Sequence, residues 1–255
     1  MQLQKFLEFK KSDLDPIIKS FYLKDDLNSK LWDNFELNEE VREDLLQIAH
    51  DFFEATDIKV DVIDIVLAGS LCNYNWSEKY SDYDLHIIIH YKDIDENLEL
   101  VEQYCDYAKK MWNANHDILI KGYEVEVAIQ DEKDLKDGIK SGRMGGVFSL
   151  MNNKWTKKPE KVNFEPDEKL ISSKASSIMH KVDKLEEDVE KEDYEEIEAK
   201  IKKVWTKIKD LRKSGLSSES GEYSIGNLVF KLLRRNKYIS RIMELKKYAY
   251  DKQYK

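Results

Sequence analysis

The chain has only two cysteines, Cys72 and Cys105, among its 255 residues. Neither has a neighbouring cysteine or histidine at the short spacings that zinc ligands show. Small disulfide-stapled scaffolds need several cysteine pairs and occur mainly in secreted proteins. The scarcity of cysteine therefore excludes a disulfide framework and a structural zinc site, and we expect both thiols to be reduced and structural.

Long apolar runs are also missing. No stretch of the sequence is apolar enough to cross a bilayer, and the amino terminus does not place basic residues before an apolar segment as a signal peptide does. Hydrophobic residues nevertheless make up 41% of the chain, which is enough for a core. We therefore expect a soluble, cytoplasmic protein that does not bind a membrane, with room for one mixed domain and a smaller one.

Positive charge is in deficit. The chain carries 42 Lys and Arg against 51 Asp and Glu, a net charge of −9. Affinity for nucleic acid comes mainly from Lys and Arg replacing the counterions on phosphates. This balance excludes broad electrostatic binding of nucleic acid, although a local basic surface remains compatible with it.

The hydrophobic periodicity divides the chain into a mixed first part and a helical second part. Apolar residues recur every three to four positions in segments 37–56 and 97–113, which predicts two helices. Three other segments are β-branched or alternate between apolar and polar residues, which predicts strands. These segments are 62–68, a run that begins near Asp82, and 122–130.

The sequence becomes almost wholly helical from about Asp167. Helical patterns cover 167–190 and 194–213, and a last helix is predicted from about Asn227. We place the domain boundary near Pro166. The prediction is an α+β protein with a small mixed β-sheet flanked by helices in residues 1–165 and a helical carboxyl-terminal domain in residues 166–255.

Two aspartates mark one face of the second predicted strand. Side chains alternate across a strand, so Asp82 and Asp84 project from the same face, while the apolar residues between and after them face the core. Magnesium is usually held by a few carboxylates together with substrate phosphates, and these two acids suit that role. His86 and His90 lie on the same face, and we interpret them as hydrogen-bonded structural histidines.

A third acid is available on the strand at 122–130. Glu124 and Glu126 share one face of that strand, and either can complete a site for two Mg²⁺ ions with the aspartates. We choose Glu126 because it is the more central and has apolar neighbours on both sides. The predicted catalytic and metal-binding residues are therefore Asp82, Asp84 and Glu126.

Gly69 and Ser70 end the first predicted strand. Backbone N–H groups at such a turn, together with the Ser70 hydroxyl, can hold phosphates, and glycine permits a close approach of the main chain. A Gly-Ser pair is a weak signal alone. Its value comes from the order of strand, Gly-Ser, about a dozen residues and then Asp-x-Asp on another strand.

That order resembles the nucleotidyltransferase superfamily typified by DNA polymerase beta, whose pattern is Gly-Ser, a short helical connection and Asp-x-Asp. Gly69, Ser70, Asp82 and Asp84 correspond to its motif, and Ser81 before the acids is also common there. The gap in this chain is about one residue longer than in many members. The stretch 69–86 further resembles a group of predicted nucleotidyltransferases that are often carried by bacterial viruses.

The resemblance implies a polymerase beta-like core, Mg²⁺, and transfer of a nucleoside monophosphate with release of pyrophosphate. We expect the donor to be a nucleoside triphosphate, most simply ATP giving AMP. The acceptor hydroxyl stays open among an RNA 3′ end, a protein side chain and a small molecule. Gly69, Ser70 and Ser81 are the residues expected to contact the nucleotide.

A basic group on the last predicted helix offers a further contact. Four cations are expected on one face of this helix: Lys231, Arg234, Arg235 and Arg241. Such a stripe is usually a solvated face, and its functional interpretation is a clamp on the triphosphate or the acceptor. Lys231 is the first choice for that clamp.

A different class of function is also compatible with these patterns. The chain can be a catalytically weak nucleotide-binding protein or an antitoxin-like partner that uses its amphipathic helical tail for protein contact. The complete pair of Asp82 and Asp84 argues against a decayed site. We therefore keep the enzyme as the leading hypothesis.

Overall fold

The computed structural model describes residues 14–189 and 194–254. The chain separates into two compact units. One is the sheet-bearing unit, residues 23–163, and the other is a helical unit formed by the residues from Phe164 onward together with the amino-terminal residues up to Tyr22. The predicted α+β class is confirmed at this level.

The sheet unit contains a six-stranded mixed sheet with the order β5-β6-β4-β3-β7-β8. Its strands are β3 (Asp64–Ala68), β4 (Tyr83–Ile89), β5 (Leu119–Ile120), β6 (Tyr123–Asp131), β7 (Val147–Ser149) and β8 (Lys154–Lys157). A separate hairpin is formed by β1 (Trp32–Asp33) and β2 (Glu36–Leu37). Strands β4 and β6 are parallel, and the other neighbours are antiparallel.

Three longer helices belong to this unit: α2 (Glu39–Ala55), α3 (Leu98–Asn115) and α4 (Glu132–Lys140). The side chain of Asn38 accepts a hydrogen bond from Val41 N–H at the start of α2, and Asn97 accepts one from Leu100 N–H at the start of α3. Each cap satisfies an N–H group that has no partner within the helix. Both predicted helices are confirmed, whereas α4 was not predicted.

The two faces of the sheet are unequal. The apolar face of β4 is fully buried in a large core with residues of α2 and α3. On the opposite face, Leu135 of α4 packs against Val66, Ala68 and Ile88 in a smaller cluster. The alternation of β4 thus buries one face, and α4 covers part of the other near Ile88.

The edge of β6 is closed by a side chain of α3. Asn113 donates from Nδ2 to the carbonyl of Val127 and accepts from Val127 N–H through Oδ1, each at 3.2 Å. This amide therefore satisfies both backbone groups of one edge residue. The contact fixes α3 beside the strand that carries Glu124 and Glu126.

The helical unit contains α1 (Asp15–Lys19), α5 (Glu168–Val189), α6 (Tyr194–Leu216), α7 (Ile225–Arg235) and α8 (Tyr238–Lys252). The prediction of a single last helix from about Asn227 is wrong. The helix is interrupted between α7 and α8 at Lys237, where φ is +62°. A left-handed residue cannot continue a right-handed helix. Among the helices that the structure describes, none is both long and apolar enough to span a bilayer.

Candidate functional site

The strand register places three residues in one row. Ala68 of β3 pairs with Asp84 of β4, and Asp84 pairs with Glu126 of β6. Residues paired directly across neighbouring strands project from the same face, about 5 Å apart. The carboxyl groups of Asp84 and Glu126 therefore stand side by side, on the face opposite the large core.

Gly69 lies immediately next to the carboxylate of Asp84. Its backbone has φ +74° and ψ −160°, a combination that is almost restricted to glycine. A Cβ atom at this position would lie 1.8 Å from Asp84 Oδ2 and 2.8 Å from Asp84 Cγ. The space that a side chain would fill is thus occupied by the acid, which explains why glycine is needed here.

Ser70 begins a short 3₁₀ turn that runs from Ser70 to Cys72. Its Oγ lies 2.7 Å from Ser81 Oγ, and Ser81 Oγ also accepts a hydrogen bond of 2.9 Å from Ser77 N–H. Ser81 is buried, whereas Ser70 is partly exposed. The two hydroxyl groups join the beginning and the end of the connection between the Gly-Ser turn and the aspartates.

The remaining acids flank this row. Asp82 is half-buried and precedes β4 directly, so strand alternation directs it to the same face as Asp84. Glu124 is exposed and pairs with Leu119 of β5. In residues 14–189 and 194–254, no group of three or more His, Cys, Asp or Glu side chains is arranged to hold a metal ion.

The donor chemistry of this face fits Mg²⁺. The available groups are carboxylate oxygens of the acids and the Ser70 hydroxyl, and Mg²⁺ prefers oxygen ligands while keeping several of its waters. The carboxylate of Asp84 lies beside the turn, next to the backbone of Gly69. Glu126 is exposed and can reach a bound group.

Two buried polar atoms continue the same face beyond Asp84. His86 Nδ1 and Gln130 Oε1 are shielded from solvent and have no hydrogen-bond partner among the described residues. Burial, with a smaller contribution from Lys109, lowers the pKa of His86 to about 4, so the imidazole is neutral at pH 7. Within the described part of the chain, the hydrogen bond expected for His86 is not found at Nδ1.

Gln130 was not recognised from the sequence. The signal that could have found it is the two-residue period of β6, which puts Glu126 and Gln130 on one face. A polar residue at the buried end of that face is unusual, because unpartnered buried amides are costly.

Lys231 lies in the helical unit, where its Nζ is 3.7 Å from Glu222 Oε2. Burial lowers the pKa of Lys231; Glu222 opposes this shift, and the nearby Arg235 and Arg234 reinforce it. The contacts of Lys231 that the structure describes are internal to this unit. Its expected role as a clamp stays a prediction.

The four basic residues do not share one helix face, so this expectation is wrong. Arg241 belongs to α8, is buried, and forms ion pairs with Asp183 and Glu186 of α5. Arg235 belongs to α7 and donates from Nη1 to Ser20 Oγ at 2.6 Å. The break at Lys237 separates the two helices and turns Arg241 inward.

No protein-family model matches this chain, and no curated protein and no solved structure is significantly similar to it. The resemblance carried by the Gly-Ser turn and the two aspartates therefore remains a prediction.

Proposed function

We propose that the sheet unit has a polymerase beta-like core and is a Mg²⁺-dependent nucleotidyltransferase. It transfers a nucleoside monophosphate, AMP from ATP, to a hydroxyl acceptor and releases pyrophosphate. The observation that carries this proposal is that Asp84 stands beside Glu126 in the strand register, with its carboxylate against Gly69 at the end of β3. An ordinary acidic surface does not require a glycine, in a conformation that other residues rarely adopt, next to one of its carboxylates.

The reaction divides into roles for these residues. The acceptor oxygen forms a bond to the α-phosphorus while the bond to the bridging oxygen breaks, and pyrophosphate leaves with its electron pair. The exposed carboxylate of Glu126 accepts the proton of the attacking hydroxyl, whereas Asp82 and Asp84 are the carboxylates that would hold Mg²⁺. When bound, Mg²⁺ supplies the positive charge that offsets the charge developing on the phosphate oxygens.

The Ser70 hydroxyl and the N–H groups of the 3₁₀ turn are the proposed phosphate contacts. Ser70 is partly exposed, and its hydrogen bond to the buried Ser81 fixes its position. A hydroxyl that is already oriented loses little entropy when it binds a phosphate oxygen. Ser81 then acts through Ser70 and does not need to touch the nucleotide.

The direct test is Mg²⁺-dependent release of pyrophosphate from nucleoside triphosphates in the presence of pooled RNA, protein and small-molecule acceptors. We expect Asp82→Asn and Asp84→Asn to abolish release, because each removes a charge from the site. Asp117→Asn is the matched control, because Asp117 is exposed and its substitution removes the same charge elsewhere in the sheet unit.

Two results would count against the enzyme. If Asp84→Asn releases pyrophosphate at the wild-type rate, the proposed site does not catalyse the reaction. If calorimetry detects no binding of nucleoside triphosphate with Mg²⁺, the partner-protein alternative is favoured instead. Binding without turnover would identify the catalytically weak form.

A further inference from the structure

A groove lined by lysines lies between α5 and α6 of the helical unit. Its volume is about 440 Å³, within the range of ligand-binding sites. Leu185 and Val204 contribute its apolar part. The charged residues that line this lysine groove are Lys181, Lys184 and Asp188 of α5 and Lys200, Lys203 and Lys207 of α6.

The sequence builds both walls with the same spacing. On α6 the lining residues occupy positions 200, 203, 204 and 207, and on α5 they occupy 181, 184, 185 and 188. Residues at i, i+3, i+4 and i+7 fall on one face of an α-helix. Each helix therefore presents one apolar residue and three charged residues to the groove. Five of these six charged residues are lysines.

Among the described residues that line the groove the one acid is Asp188, although α5 also carries Asp183, Glu186 and Glu187 near its two lining lysines. Between Lys200 and Lys213, α6 carries seven Lys or Arg residues and one acid, Asp210. Lys200 pairs with Glu196 at 2.8 Å, whereas Lys181, Lys184, Lys203 and Lys207 form no ion pair with a described residue. With five lysines and one aspartate the groove lining carries a formal charge of +4, in a chain whose net charge is −9.

We propose that the lysine groove binds the sugar-phosphate backbone of a single-stranded nucleic acid. Its lysines extend over seven residues of α6, which is about 10 Å along the helix, and neighbouring turns are about 5–6 Å apart. Such an array contacts several successive phosphates of a linear polyanion. A single phosphate ester would engage only part of it.

The residue type and the shape decide the class of partner. The ammonium group of lysine is a point charge and lacks the planar guanidinium with which arginine binds carboxylates or base edges in a bidentate manner. Lysine therefore suits contacts to the phosphate backbone that do not depend on sequence. A volume of about 440 Å³ is that of a small-ligand site, so the groove has room for a short stretch of one strand and not for a duplex. A planar lipid surface cannot enter such a groove.

The test is the fluorescence anisotropy of a labelled 12-nucleotide RNA of mixed sequence, titrated with the full chain without nucleotide or Mg²⁺. We expect affinity to fall with salt, with a slope of log K against log [salt] of about −3 for four phosphate contacts on a single strand. Since the assay needs no catalysis, it can succeed or fail independently of the proposed transferase. A DNA strand of the same sequence is expected to bind similarly.

Charge reversal on one wall provides the decisive comparison. Lys203→Glu with Lys207→Glu is expected to weaken binding by about tenfold or more. The matched control is Lys246→Glu with Lys247→Glu, which changes two exposed lysines of α8 by the same charge and is expected to bind like the wild type. Circular dichroism checks that each variant is folded.

A second pair of substitutions, on the α5 wall, allows the proposal to be tested even if the first variant does not fold. Lys181→Ala with Lys184→Ala removes charge from the α5 wall and is expected to make the salt slope shallower by about one unit. The proposal is overturned if RNA does not bind at low salt, or if the groove and control variants lose the same affinity. It is also overturned if a poly-glutamate peptide of equal charge displaces RNA equally well, or if phosphatidylserine vesicles bind in its place.

Discussion

The carboxylate of Asp84 occupies the space where Gly69 would carry a side chain. A Cβ atom at position 69 would be 1.8 Å from Oδ2 of the acid, a distance at which one of the two groups has to move. The glycine at the end of β3 is therefore matched to an acid on the neighbouring strand. This pairing links the two halves of the sequence motif, which are fifteen positions apart in the chain, counted from Gly69 to Asp84.

Replacing Gly69 by alanine is expected to displace Asp84 and to abolish pyrophosphate release. The added methyl group overlaps the carboxylate, and the strained backbone adds a destabilisation of about 1–3 kcal/mol. Gly142→Ala is the matched control, because Gly142 has the same φ of +74° but a Cβ there would meet nothing within 4 Å. Activity and unfolding by urea are measured for both variants.

The two variants separate strain from positioning. We expect both to lose stability, but only Gly69→Ala to lose activity out of proportion to the folded fraction. Equal activity in the two folded variants would show that the contact with Asp84 is not needed for the reaction.

Glu126→Gln is expected to lower the turnover far more than Glu124→Gln. Glu126 is the direct register partner of Asp84, whereas Glu124 pairs with Leu119 of β5. Loss of one positioned acid or base typically costs a factor of about 10²–10⁴ in rate. Rates are measured at saturating nucleotide across a Mg²⁺ titration, and the reverse order of the two variants would assign the third acid to Glu124.

Cys105 is expected to resist alkylation until high pH. Burial raises the pKa of its thiol to about 11, and the Tyr91 hydroxyl partly offsets this shift. The rate of labelling by iodoacetamide in the native protein should therefore rise about tenfold per pH unit without levelling off near the ordinary cysteine pKa of about 8.5. Mass spectrometry of the labelled peptide gives the profile, and a plateau near pH 8.5 in the folded protein would contradict it.

The same shift affects stability with a definite sign. Because the pKa of Cys105 is higher in the folded than in the unfolded chain, the unfolded chain loses its proton first as pH rises. The contribution of the buried thiol is complete below the unfolded pKa and is lost as pH rises toward about 11.

Arg241→Ala is expected to destabilise the helical unit by about 2–3 kcal/mol. Arg241 is 6% exposed and pairs with Asp183 and Glu186, so its removal leaves two carboxylates of α5 without that cation. The estimate lies below the range for fully buried pairs because both acids are partly exposed. Arg234→Ala, which changes an exposed arginine of α7, is the control, and an equal change in the denaturation midpoint of both variants would refute the role of burial.

The sequence predicted the elements whose periodicity is strong. The alternation in 122–130 corresponds to β6, and the β-branched run in 62–68 corresponds to β3. Gly69 and Asp84 lie close together because β3 and β4 are neighbours in the sheet. Partner choice across strands is not visible in local periodicity. The register of Asp84 with Glu126 therefore needed the structure.

Two helical features escaped the sequence for physical reasons. Helix α4 is only nine residues long and contains Gly138, which lowers helix propensity, although Asp131 accepts a hydrogen bond from Lys133 N–H at its start. The break at Lys237 occurs at a residue with no intrinsic preference for φ above zero, and tertiary packing decides it. Projecting Arg241 along an unbroken helix placed it on the wrong face.

The side-chain amide of Asn113 matters for the behaviour of the protein at high concentration. An unpaired strand edge can form backbone hydrogen bonds with another molecule, and this pairing can begin the stacking of strands that leads to fibrils. By meeting both the N–H and the carbonyl of Val127, Asn113 acts as a one-residue substitute for such a neighbour. The longest strand of the sheet is thereby kept from self-association at this point by its own crossover helix.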